Sequence, residues 1–386
     1  MVGKKRVLYV FPVAMNLTGH WAERVRIAGA KGYEVHVAVP DDPSLEGFDL
    51  GGAQRYTLPL RRGLPSPRAE IAYLLAIGRI IRQVRPDILH AVTIRPIIYA
   101  GIVARLVKVP AAVFSVTGLG FIFSQATLAR LMRPFGAMAY SFVLHHPNCR
   151  GIFENPDDAD FFVADGLIKR ENARVFIGGG IDLDLYGYMP EQAEQLSAPI
   201  VILPGRLLAE KGVSDFVEAA RILRARGRNA RFVLVGDVDP GNPGTHSRAE
   251  IEEWVKEGAV EWWGWRNDMV EVTRQASIVC LPTNYREGAP RSLIEAAAIG
   301  RASVTTDAPG CRHVVVHGET GLIVPQHAPK ALAEALDSLI CDSSLRLRMG
   351  QAARHHAEAC FSTELAAERL LSVYGELIRS CDPIRE

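Results

Sequence analysis

The sequence predicts an α/β protein built of two doubly wound, Rossmann-like domains that face each other across a cleft. Three observations carry this prediction. Short apolar, β-branched runs alternate with helical patterns, which marks βαβ units and a parallel sheet. The alternation starts afresh near Ile200. The length, 386 residues, suits two domains at about 150 residues each. With 48% hydrophobic and 23% charged residues, the composition excludes a disordered chain, a collagen-like repeat and a small disulfide scaffold.

The first series has strands expected at 7–11, 34–39, 88–91, 111–116 and 151–154, with helices at 68–84 and 127–144. Lys4-Lys5-Arg6 before an apolar run has the look of a signal peptide, but Pro12 and Asn16 interrupt it and no small-x-small site follows. A buried first strand is the expectation instead. The second series has strands at 200–204, 232–235, 278–282, 302–305 and 322–324, with helices at 213–225, 292–299 and 330–340. The polar, proline-flanked stretch 189–199 is expected to be a linker. This sets a first domain at 1–188 and a second at 199–363; the helical stretch 364–386 could dock anywhere, the first domain included.

Six cysteines, at 149, 280, 311, 341, 360 and 381, contain no CxxC pair, which excludes a zinc knuckle and fits a reducing cytoplasm. No run of 18 apolar residues is present, so no membrane span is expected. No P-loop occurs, and Gly118-Leu119-Gly120 lacks the third glycine of a dinucleotide fingerprint. His313 and His317 lack the glutamate of a zincin motif. The triplets Asp182-Leu183-Asp184 and Asp237-Val238-Asp239 have the form of a metal-binding DxD, but metal binding is not the expectation for them. No metal and no cofactor are therefore expected. The formal net charge of +1 argues against a nucleic-acid binder. It is unevenly spread: residues 1–150 hold 19 Lys/Arg against 8 Asp/Glu, and residues 151–386 hold 25 against 35.

Three features of the second half converge on an anionic ligand. Gly205-Arg206 follows a strand, and Lys211-Gly212 precedes a helix. Two cations beside a helix N-terminus make an anion site. Next comes Glu287-Gly288-Ala289-Pro290-Arg291-Ser292-Leu293-Ile294-Glu295. Pro290 suits the first helical turn, so the amides of Arg291, Ser292 and Leu293 are expected to face the cleft and cradle phosphate oxygens. Glu295, on a helix start that is apolar nearly all round, is placed to accept from vicinal hydroxyls. Third, Val260-Glu261-Trp262-Trp263-Gly264-Trp265-Arg266, a strand with a glycine turn, offers backbone groups and an aromatic wall to a nucleobase, unless Trp262 and Trp263 are strand core.

These motifs, together with Gly264-x-Arg266-x-Asp268, Asp307-x-Pro309-Gly310-Cys311-Arg312 and Gly318-x-x-Gly321-Leu322-Ile323-Val324-Pro325, resemble family 4 glycosyltransferases, retaining enzymes of the GT-B fold. In the first half, Gly32-Tyr33-Glu34-Val35, Pro86-Asp87-Ile88-Leu89-His90, Thr93-x-Arg95-Pro96 and Thr117-Gly118-Leu119-Gly120 are similar to the branch that extends lipid-linked oligosaccharides for bacterial surface polysaccharides. The resemblance implies transfer from a nucleotide sugar, a UDP-sugar first, to a lipid-linked or glycan acceptor. It implies that Arg206 and Lys211 neutralise the diphosphate, Glu295 holds the ribose hydroxyls, and Glu287 contacts the donor sugar. Gly288, Ala289, Pro290, Arg291, Ser292 and Leu293 would hold phosphate, and Gly264 and Arg266 would meet the base.

The chain departs from the family at residues 11–20, where many members carry a Gly-Gly loop, and at Ser115-Val116-Thr117-Gly118, where many carry a histidine. On the acceptor side the candidates are His20, Thr93, Arg95, Gly118 and Gly120. A lone His90 at a strand end is expected to be structural. The same architecture also serves sugar-nucleotide epimerases and phosphorylases, and a non-catalytic donor-binding subunit. The basic first half, with Arg61, Arg62, Arg68, Arg130 and Arg133 beside Leu131, Met132 and Phe135, suits peripheral contact with an anionic membrane at its cytoplasmic face.

Overall fold

The structure, a computed structural model, describes residues 4–59, 67–118 and 127–381. Gly120, Arg61 and Arg62 lie outside the described residues, as do the side chains of His20, Arg130, Leu131 and Met132. The chain divides into two compact units. Unit 1 is Met1–Gly180 with Thr363–Glu386, and unit 2 is Ile181–Ser362.

Unit 1 holds a seven-stranded parallel sheet: β1 (Arg6–Val10), β2 (Glu34–Pro40), β3 (Gln54–Leu58), β4 (Ile88–Val92), β5 (Ala111–Val116), β6 (Cys149–Phe153) and β7 (Ala173–Val175). Its order is β3-β2-β1-β4-β5-β6-β7. The order reverses direction between β1 and β4, and this is the switch point of a doubly wound sheet. Successive side chains of β1 serve two cores, as the period of a strand requires. Leu8 and Val10 pack with the helices Pro67–Val84, Ile94–Leu106 and Thr127–Leu144. Val7 and Tyr9 pack with the helices Ala22–Ala30 and Thr363–Cys381, the latter through Leu370, Val373, Tyr374 and Leu377.

Unit 2 repeats the scheme with six strands: β8 (Ile200–Pro204), β9 (Arg231–Val235), β10 (Glu261–Gly264), β11 (Ile278–Leu281), β12 (Ala302–Thr306) and β13 (Gly321–Val324). The order β10-β9-β8-β11-β12-β13 puts the switch point between β8 and β11. All pairings are parallel. All six cysteines are free thiols, three of them buried.

The interior strands lie within a residue or two of the expected positions. β3 and β7 were not expected. Both are sheet edges with half-exposed, polar-rich sequences, and neither shows the apolar run of an interior strand.

The stretch 189–199 is not a linker, and the boundary expected at 188 lies at 180. Three buried polar side chains bind the stretch into unit 2. Arg346, fully buried, forms a pair with Glu191 at 2.9 Å and also donates to Leu339 O. Arg301 donates to the carbonyls of Met189, Arg274 and Ala276. Gln195 Nε2 donates to the carbonyls of Arg274 and Gln275. Removing one member of a buried pair leaves the other charged and desolvated. Arg346→Ala is therefore expected to cost unit 2 about 3–5 kcal/mol. Denaturant unfolding followed by tryptophan fluorescence checks this, because Trp254, Trp262, Trp263 and Trp265 all lie in unit 2.

Candidate active site

In unit 2 the predicted residues gather at the carboxyl ends of β8 to β12, flanking the switch point. β8 runs into Gly205 and Arg206, then a single 3₁₀ turn Ala209–Lys211, then Gly212. Gly212 has φ +73°, and a Cβ on it would lie 1.9 Å from the carbonyl oxygen of Pro282 at the end of β11. Only glycine permits that approach. The approach brings Lys211 across the switch point to Glu287, with Nζ 2.5 Å from Oε1. The Thr283 hydroxyl lies 3.1 Å from the same Oε1. Both charged groups are largely shielded, with side chains 20% and 12% exposed. Arg206 turns elsewhere. It is 57% exposed and pairs with Asp239 at 2.9 Å, in the loop that follows β9.

The loop after β11 is braced by the loop after β12. Glu287 N donates to Pro309 O at 3.2 Å. A Cβ on Gly310, where φ is +87°, would meet the carbonyl oxygens of Gly288 at 2.3 Å and Glu287 at 2.6 Å. The helix Arg291–Ile299 follows. Pro290 stands at its N-cap, one position earlier than expected. The expected three-amide cradle is smaller than the sequence suggested. Leu293 N donates to Pro290 O at 3.1 Å, and its side chain is buried in the core. The Ser292 amide has no acceptor among the described residues. Gly288 and Ala289 lie just before the helix, and Arg291 is its first residue.

Glu295, one turn into the helix, is 6% exposed. Its Oε1 accepts from Arg291 Nε at 2.7 Å and from the Tyr186 hydroxyl at 2.8 Å. Glu287 and Glu295 thus have separate sets of partners. Burial, and then the neighbouring Glu295 charge, push the Tyr186 hydroxyl pKa upward, so the phenol stays a donor. Tyr186 is not among the residues expected from the sequence, because a tyrosine in a loop carries no periodic or motif signal.

At the end of β10, Trp262 Nε1 donates to Gly236 O at 2.8 Å, and Trp263 Nε1 to Glu261 at 3.3 Å. Both rings serve the strand. Trp265, beside Gly264, is 66% exposed, and Arg266 pairs with Asp268. The two DxD triplets are otherwise engaged. Asp182 Oδ1 accepts from the amides of Asp184 and Leu185 and builds a turn. Asp237 pairs with Arg248, and Asp239 with Arg206. Among the described residues no group of three His, Cys, Asp or Glu is arranged to hold a metal.

In unit 1 the acceptor-side candidates follow three adjacent strands. His20 lies on a π-helical turn, Leu17–Trp21, after β1. Thr93 and Arg95 follow β4, and Gly118 follows β5. Thr93 has φ +69°, a strained state for a β-branched residue and one that clusters at functional sites. Its amide is held by Ser115 O at 3.0 Å. Arg95 pairs with Glu70 at 2.9 Å. His90 is fully buried between the Tyr374 hydroxyl at 2.5 Å and Ser115 Oγ at 2.8 Å. Burial, and secondarily Arg24, hold its pKa well below the usual imidazole range. It is a neutral core residue that ties the C-terminal helix to β4 and β5.

Two doubly wound units, one with cations, carboxylates and a helix start at its switch point, fit a glycosyltransferase, and comparison with known proteins shows that class. Residues 6–149 match the family model described as "Glycosyl transferase 4-like", and residues 188–356 match "Glycosyl transferases group 1". The chain belongs to this glycosyltransferase family. It is 29% identical over 360 residues to the N,N'-diacetylbacillosaminyl-diphospho-undecaprenol alpha-1,3-N-acetylgalactosaminyltransferase of Campylobacter jejuni, covering 90% of this chain and 92% of that one. It is 24% identical to the capsular polysaccharide biosynthesis glycosyltransferase CapM of Staphylococcus aureus, covering 91% and 92%. Its fold matches that of a Rickettsia africae glycosyltransferase with a TM-score of 0.79 at 17% identity, covering 97% and 99%. Anabaena HepE, solved with UDP and glucose, gives 0.74 at 17% identity, covering 96% and 99%.

Gly212→Ala is expected to force the Lys211 turn away from β11. Misplacement of a reacting group by about 1 Å costs roughly 10²-fold, and a fall of that size in kcat/KM for the donor is the expected readout. Gly227 shares φ +73°, but a Cβ added there would meet nothing within 4 Å, so Gly227→Ala is expected to leave donor kinetics unchanged.

Proposed function

We propose that the protein is a retaining glycosyltransferase that moves a sugar from a UDP-sugar to a lipid-linked oligosaccharide or glycan acceptor during cell-surface polysaccharide synthesis. The observation that carries the reading is the meeting of Lys211 and Glu287 at the unit 2 switch point, beside the helix that carries the buried Glu295. The relatives named for undecaprenol-linked and capsular sugars support the acceptor class, and the fold neighbour solved with UDP and glucose supports the donor class.

In this reading the leaving diphosphate gathers negative charge as the glycosidic bond breaks. Lys211 and Arg206 receive that charge, together with the Ser292 amide at the positive end of the helix. Arg206 exchanges Asp239 for phosphate, which costs little because exposed ion pairs contribute at most about 1 kcal/mol. Glu287 meets the donor sugar, and its pairing with Lys211 orients it. Glu295 accepts from the ribose hydroxyls. Gly264, Trp265 and Arg266 meet the base. Protein cations take the place that a metal holds in other transferases.

Removing one preorganised donor of this kind costs about 10²–10³ in rate. Lys211→Ala is expected to lose that much in kcat, and Glu295→Ala to raise the donor KM. Both are measured by sugar-nucleotide turnover across a UDP- and GDP-sugar panel, with EDTA leaving the rate nearly unchanged. Near-normal turnover in both variants would sink the reading, and NMR of the product's anomeric centre tests retention.

The acceptor's lipid implies a membrane surface, and unit 1 offers a face for one. The helix Thr127–Leu144 exposes Phe135 (70%), Met138 (67%) and Phe142, and the helix Pro67–Val84 exposes Ile71 and Leu75. Arg68, Arg79 and Arg133 are exposed on the same two helices. Apolar side chains among cations suit an anionic bilayer. Among the described residues no helix is long and apolar enough to cross a membrane, so the contact proposed is peripheral, at the cytoplasmic face. Co-sedimentation with anionic vesicles but not with neutral ones is expected, and Phe135→Asp with Met138→Asp should weaken it. Equal partition to both vesicle types counts against the face.

A further inference from the structure

We propose that Tyr186 is a positioning residue of the donor site, fixing the plane of Glu295 so that Oε2 faces the nucleoside diol. The proposal rests on the reading that Glu295 holds that diol.

The Glu295 carboxylate is asymmetric. Both of its hydrogen bonds, from Tyr186 and Arg291, fall on Oε1. Oε2 has no hydrogen bond among the described residues. A carboxylate oxygen without a donor keeps two lone pairs, enough for two hydroxyls of one ribose. Arg291 alone does not fix the plane, because its side chain is long and one-third exposed. Tyr186 is rigid and 5% exposed, and it approaches from another part of the chain.

That part of the chain is built to hold it. Ile181 N donates to Phe361 O at 2.7 Å, where unit 2 begins. Asp182 then makes a turn through its Oδ1, and Tyr186 N donates to Asp182 O at 2.9 Å. Arg354 donates to Tyr186 O at 2.8 Å and to Ala298 O at 2.6 Å, tying the turn to the helix that carries Glu295. Met189 N donates to Ile299 O at 3.1 Å and completes the attachment. The Asp182-Leu183-Asp184 triplet thus has a function without a metal: its first aspartate shapes the turn that delivers Tyr186.

A merely structural tyrosine would affect every nucleotide alike, whereas a positioning one affects recognition of the diol. Calorimetry on the full chain therefore compares UDP with 2′-deoxy-UDP, or the GDP pair where GDP binds more tightly. The wild type is expected to prefer the ribonucleotide. Tyr186→Phe is expected to lose about ten-fold for the ribonucleotide, the scale of one hydrogen bond to a charged group, and clearly less for the deoxynucleotide, which offers Oε2 one hydroxyl instead of two. Asp182→Ala, at an exposed position, should show the same selective loss to a smaller degree and serves if the phenylalanine variant folds poorly. A wild-type preference that survives both substitutions overturns the role of Tyr186 and leaves the Glu295 reading standing. Equal losses for both nucleotides also overturn it, as a packing effect. A wild type blind to the 2′-hydroxyl overturns the Glu295 reading itself, and the proposal with it.

Discussion

The candidate site in unit 2 depends on backbone touching backbone. Gly212 lies against the Pro282 carbonyl and Gly310 against the Gly288 carbonyl, closer than any side chain permits. The first contact joins the turn after β8 to the end of β11. The second joins the loop after β12 to the loop after β11. Together they place Lys211, Glu287 and the start of the helix Arg291–Ile299 within one small region, although about 80 residues separate the first from the last. The charged chemistry follows from this packing. A lysine and a glutamate that meet at 2.5 Å in a largely shielded setting are expensive to hold together unless the loops carrying them are already in place.

Charge is distributed to the same end. Each cation of the site has a carboxylate partner in the structure: Lys211 with Glu287, Arg206 with Asp239, Arg266 with Asp268 and Arg291 with Glu295. An anionic ligand therefore meets a site that is close to neutral overall and gains by exchanging partners. The exposed pair Arg206–Asp239 yields easily, while Lys211 can keep Glu287 and turn its remaining N–H groups to the ligand. Arg206 is thus suited to an arriving phosphate, and Glu295 to a fixed recognition role.

The amino-acid sequence shows the interior of both sheets well, because strands buried on both faces are continuous apolar runs such as 278–281 and 200–204. It shows the edges poorly. Gln54–Leu58 has one buried residue in five, and its place is set by pairing with β2. The motif around Glu287 and Glu295 is legible because its glycine, proline and acids are adjacent in sequence. Tyr186 is not legible, since its meaning comes from a contact with a residue 109 positions away. The cradle was overestimated for a related reason. Which amides remain unpaired depends on how the first turn closes, and here the Leu293 amide, third in the helix, is taken by a short i→i−3 bond to Pro290 O.

The polar stretch 189–199 shows the same limit from the other side. Proline and polarity made it look like a tether, yet Glu191 and Gln195 are structural parts of unit 2, held by Arg346, Arg274 and Gln275. The consequence concerns where the chain can be cut. A fragment beginning at 199 would discard the Glu191 carboxylate that Arg346 contacts and the carbonyl of Met189 that Arg301 contacts, leaving two guanidinium groups short of partners in apolar surroundings. A fragment beginning at 181 keeps both partners and the Tyr186 turn as well. The smallest self-sufficient piece of unit 2 therefore begins well upstream of its first strand, at the turn that carries Tyr186.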